Sequence, residues 1–71
     1  MLSEAQALAE ELDLKLEPAG QKHSFEAALI DKPKPKYVIK NRRPTYDIEV
    51  FWNLTELMSW LNNRKKETNN G

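Results

Sequence analysis

The 71 residues contain no cysteine, so the chain has no disulfide staple, no CxxC redox pair and no thiolate zinc site, and it must hold itself together by packing alone. A single histidine, His23, lies in a turn-like context. With no second His or Cys to complete a ligand set, it reads as a surface histidine rather than a metal ligand. Glycine occurs only at positions 20 and 71, which leaves no glycine-rich loop to cradle a phosphate. The longest unbroken apolar run is the four residues from Ala27 to Ile30, against the ~20 that a membrane-spanning helix needs. The opening Met1-Leu2-Ser3-Glu4 has neither the basic nor the apolar region of a secretory signal, and the expected setting is cytoplasmic, with no membrane contact.

Catalytic groupings are equally sparse. Ser3 and Ser59 are assigned to a helix cap and a helix, Glu10 and Glu11 point to different sides of one helix, and Asp47 and Glu49 have cationic neighbours. None of these is an activated nucleophile or a pocketed acid/base pair. The expectation is a non-enzyme with no catalytic residue, no metal, no cofactor and no small-molecule substrate.

What is present is segregated charge. Formal net charge is zero, yet residues 1–31 carry seven acids against Lys15 and Lys22, giving −5, and residues 32–46 carry six bases and no acid. Such a dipolar chain can turn one basic surface toward an anionic partner whatever its total charge.

Apolar periodicity organises the rest. Ser3 with Gln6 is a capping-box pattern, followed by Ala5, Leu8, Ala9 and Leu12 on one helical face, which predicts a helix from 3 to about 13. Leu12, Leu14 and Leu16 then alternate with charged residues as in a short strand. Residues 24–30 are read as a second strand with Phe25 and Leu29 inward, and Pro33 and Pro35 interrupt it. Strands over 36–41 and 46–52 follow, the latter alternating Tyr46, Ile48, Val50 and Trp52 against Asp47, Glu49 and Phe51. Asn53 with Glu56 opens a second helix from 53 to about 65, striped by Leu54, Leu57, Met58 and Leu61.

The predicted fold is a single α+β domain over residues 1–66. An antiparallel sheet of three or four strands carries an N-terminal and a C-terminal helix on one face, in α-β-β-β-β-α or α-β-β-β-α order, with residues 67–71 a disordered polar tail. The proposed core holds Leu8, Leu12, Leu14, Phe25, Leu29, Tyr37, Ile39, Ile48, Val50, Trp52, Leu54, Leu57, Met58 and Leu61. The element order is similar to that of the double-stranded RNA-binding domain. That family places a basic cluster at the start of its second helix, where this chain reads Asn53-Leu54-Thr55-Glu56 with no base until Arg64, so no site follows from the resemblance.

Two binding surfaces emerge. Strand parity puts Lys32, Lys34, Lys36, Lys40 and Arg42 on one side, with Arg43 beside them, an arrangement suited to nucleic acid. Cross-strand pairing with Asp47 or Glu49 would neutralise part of it. The sheet face away from the helices should expose Ile30, Val38 and Phe51, an apolar patch with the anatomy of a protein interface. The function expected is that of a small binding module, adaptor or regulator that contacts another protein, or a second copy of itself, through this open face. Nucleic-acid binding through the hairpin 32–43 is the alternative.

Overall fold

The computed structural model describes residues 2–69. These form α1 (Leu2–Glu11), β1 (Leu14–Pro18), α2 (Gln21–Leu29), β2 (Tyr37–Arg42), β3 (Thr45–Phe51) and α3 (Leu54–Asn69). The expected tail 67–71 is therefore helical as far as Asn69, and residues 70 and 71 lie outside the described residues.

The first helix closes abruptly. Asp13 takes a left-handed φ of 59° while its amide donates to the carbonyl of Glu10, and β1 starts at the next residue. Aspartate is one of the few side chains that tolerates this conformation. Ala5 and Ala9, both fully buried, let α1 pack closely. The sheet is antiparallel in the order β1-β2-β3, with Leu16 opposite Ile39 and Tyr37 opposite Phe51. On one face lies the core of Ala5, Ala9, Leu14, Ile39, Phe51, Leu57 and Leu61, with Leu8, Leu12, Leu16, Tyr37, Ile48, Leu54, Met58 and Trp60 packed around it. The α+β class, the three-stranded sheet and the two terminal helices on one face match the expectation.

The third strand departs from simple alternation. Ile39 pairs with Glu49 while Lys40 pairs with Asp47, so Ile48 is an extra residue and the ladder carries a bulge. One extra residue reverses the faces of everything beyond it. Phe51, not Val50 or Trp52, consequently points at α1 and α3, and its ring meets Trp60 edge-on at 5.8 Å. Val50 and Trp52, expected in the main core, stand half-buried on the opposite face.

Of residues 24–30, read as a strand, 24–29 belong to a helix and Ile30 is its C-cap. The amide of Ser24 donates to the carbonyl of Gly20 to open α2. At the other end, Asp31 (φ 58°) and Lys32 donate to the carbonyls of Ala28 and Ala27, the paired bonds of a Schellman stop. The helix lies over the second sheet face. His23 and Ala27 are buried against it together with Pro35 and Val38. Phe25 and Leu29, proposed as core, point outward instead.

Asn53 caps α3 as its spacing predicts. Its Oδ1 accepts from the Glu56 amide at 2.8 Å, and its Nδ2 donates to the Glu56 carboxylate at 3.0 Å. Asn53→Ala should lower unfolding stability by about 1 kcal/mol, measured by urea denaturation.

Candidate functional site

The second sheet face begins as a problem of like charges. Lys15 and Lys40 are direct cross-strand partners, an arrangement that destabilises a sheet unless something bridges it. Glu17 does so, with its carboxylate 3.2 Å from Lys15 and 2.9 Å from Lys40. Lys40 also approaches Asp47 at 3.9 Å. The hydrogen bonds donated by Lys40 and Lys15 hold the Glu17 carboxyl below its ordinary pKa, and the bond that Lys40 donates to Glu17 raises the Lys40 ammonium.

The signs follow from linkage. A lowered carboxyl contributes stability above its unfolded pKa and loses it as pH falls from about 4.5, the group's ordinary value, through the lowered one. Lys40 contributes below its ordinary value and loses its part as pH rises through the raised one. Glu17→Gln should therefore flatten the acid-side loss of stability, and should lower stability at neutral pH by leaving two lysines face to face. Urea midpoints recorded across the acid range check both effects.

The network continues into α2. Asp47 receives Lys22 at 3.8 Å and His23 Nε2 at 3.2 Å, while His23 Nδ1 lies 3.5 Å from Glu26. The histidine read as a surface residue in a turn is 8% exposed and helical. It pins the inner side of α2 to β3.

The predicted basic stripe is broken by these pairings. Lys40 is consumed as described, and Arg42 turns to the β1 backbone, donating to the Leu14 carbonyl at 3.1 and 3.2 Å with Asp13 at 3.9 Å. Lys32 stands over the Trp52 ring at 5.1 Å. Lys34 and Lys36 flank the buried Pro35, and Arg43 occupies the hairpin tip, all three exposed. The free cations thus sit at the two ends of β2, about 23 Å apart at the rise of an extended strand, and do not form one track.

The predicted apolar patch is also redistributed. Val38 is 1% and Phe51 5% exposed, because α2 covers the former and the bulge turns the latter inward. Ile30 remains 63% exposed at the end of α2, now beside Phe25 at 67% and Leu29 at 72%. Between α2 and the sheet lies a hollow of about 90 Å³, walled by His23, Ala27, Ile30, Pro35, Val50 and Trp52, with Glu26 at its edge. The Trp52 indole is fixed there by donating from Nε1 to the Pro33 carbonyl at 2.6 Å.

No family model, curated protein or solved structure matches the chain. Function must come from this geometry. Among the described residues, no group of three or more His, Cys, Asp or Glu is placed to hold a metal, and no helix is long and apolar enough to cross a membrane.

Sequence reasoning missed Phe25 and Leu29 as surface-facing residues and Trp52 as a wall of the hollow. The only signal was a slight one, the spacing of His23 and Ala27, which is i, i+4. It defines an inner helical face and leaves Phe25 and Leu29, themselves i and i+4, on the outside.

Proposed function

We propose that this chain is a non-catalytic binding module that contacts another protein through the outer side of α2 and the adjoining hollow, in the place of the open sheet face expected from sequence. The observation that carries the reading is the exposure of Phe25, Leu29 and Ile30 on one short helix and its end. Single exposed apolar residues are ordinary, but an aromatic and two aliphatic side chains exposed on one short helix and its end have the composition of an interface centre. The absence of a catalytic role is part of the proposal.

Nucleic-acid binding is the lesser reading, favoured by the exposure of Lys34, Lys36 and Arg43, none of which belongs to an ion pair among the described residues. Three separated cations would give log K against log salt a slope of only about −2 to −3.

The test is affinity capture with the wild-type chain and with Phe25→Ser/Leu29→Ser. Both side chains are exposed, so the double variant should melt as the wild type does while losing the proteins that the wild type retains. Retention of the same set by both chains would refute the reading. Oligonucleotide binding abolished by Lys34→Glu/Lys36→Glu would favour nucleic acid.

A further inference from the structure

The sheet has two free edges, because β1 and β3 lie at the ends of the order β1-β2-β3. Two bonds fix which way the β1 backbone points. The Ala19 amide donates to the Lys36 carbonyl at 3.0 Å, so the Pro18 carbonyl, which opposes that amide across a planar peptide, points away from β2. At the other end the Leu14 carbonyl accepts the Arg42 guanidinium at 3.1 and 3.2 Å. Antiparallel pairing alternates in steps of two, so Leu14, Leu16 and Pro18 all turn their main-chain groups outward. Among the described residues, this leaves the amides of Leu14 and Leu16 and the carbonyls of Leu16 and Pro18 with no strand to pair with. Pro18 has no amide hydrogen to offer.

We infer that two copies of the chain join along this edge. β1 pairs antiparallel with the β1 of the second copy about a twofold axis at Leu16, and the two three-stranded sheets become one. The contact is separate from the α2 surface and does not depend on it. In this register Leu16 faces Leu16 of the second copy, and each amide donates to the other's carbonyl. Leu14 faces Pro18 of the second copy and donates to its carbonyl. The return bond cannot form, because Pro18 has no N–H, and it is not needed, because the Leu14 carbonyl already holds Arg42. Lys15 faces Glu17 of the second copy and Glu17 faces Lys15, so opposite charges meet on both sides of the axis.

An unrelated strand fits this edge less well. It would bring an amide into competition with Arg42 at the Leu14 carbonyl, and it would leave a carbonyl without a donor opposite Pro18. The chain's own β1 brings proline to the first place and a satisfied carbonyl to the second. Room for it exists beside α1. Two hollows of about 300 and 140 Å³ share Gln6 and Leu16 as walls and between them reach every residue of β1. The β3 edge is guarded by contrast. Ile48 interrupts its ladder, and self-pairing about that residue would set Asp47 against Glu49 on both sides of the axis.

The experiment is sedimentation equilibrium of the full chain from micromolar to millimolar concentration, with hydrogen exchange followed by NMR at the same concentrations. The expected result is a monomer–dimer equilibrium in which the Leu14 and Leu16 amides exchange more slowly as the dimer fills. Lys15→Glu should weaken the dimer by about tenfold, because like charges then meet on both sides of the axis. Glu17→Lys should do the same, and the two variants mixed should pair with each other, since every facing charge is again opposite. Leu16→Pro removes both central bonds while sparing the β1–β2 ladder, to which that amide does not contribute, and should give a monomer. Circular dichroism melts establish that each variant is folded, and the wild-type exchange pattern needs no variant at all. A strict monomer at millimolar concentration would overturn the inference and leave the α2 reading in place. A dimer that survives in folded Leu16→Pro, or one that Phe25→Ser/Leu29→Ser abolishes, would overturn pairing through β1.

Discussion

Replacing Phe51 by alanine should lower unfolding stability by about 3–5 kcal/mol, a large share of what a small domain has available. The reason is its position at the meeting of both helices with the sheet. The ring is 5% exposed, belongs to the same core as Leu57 and Leu61, and touches Trp60 edge-on at 5.8 Å. Truncation would leave a cavity beside Trp60 in the core that Phe51 shares with Leu57 and Leu61. Val50→Ala makes the informative partner. Val50 is half-buried on the thinner second face, so the smaller loss is expected there. Urea denaturation of the two variants tests the bulge at Ile48 directly: without it, the ranking would be reversed.

Val38→Asp should be similarly severe, costing about 3–5 kcal/mol, the range associated with an uncompensated buried charge. Val38 is 1% exposed beneath α2 and stands opposite Glu17 across the strand pair, so the new carboxylate would be dehydrated and repelled at once. The same substitution at Phe25, on the outer side of the covering helix, should leave the melting temperature nearly unchanged. Equal tolerance at both positions would mean that α2 does not cover the sheet. Circular dichroism melts of Val38→Asp and Phe25→Asp distinguish the two arrangements.

These expectations divide the chain by the kind of information that shaped it. Segments with local signals are legible in the sequence alone. The alanine and leucine stripe of α1, the alternation about Ile39 and the reciprocal Asn53 and Glu56 cap of α3 each depend on residues within a few positions of one another. Periodicity and capping report such local preferences directly. The pairing of Lys40 with Asp47 is among the registers open to sequence reasoning, and it is the one found.

The second helix carries no comparable signal. Gly20 has no side chain to cap it, Asp31 rather than glycine ends it, and Phe25, Ala27 and Leu29 alternate as a strand would. Its helical state is supported by burial of His23 and Ala27 against the sheet and by the ion pairs from His23 and Lys22 to Asp47, contacts with residues more than twenty positions away. The bulge at Ile48 is similar. It reconciles a buried Phe51 with a partly buried Ile48 packed against the same core, and only the packing of α1 and α3 on one side and α2 on the other requires both. Composition and local pattern settled the class of the fold and its two terminal helices, because those rest on short-range spacing. The facing of Phe51 and Val38, and with it the location of the exposed apolar surface, was decided by long-range contacts, because one extra residue in a strand or one covering helix exchanges inside for outside without altering the local pattern.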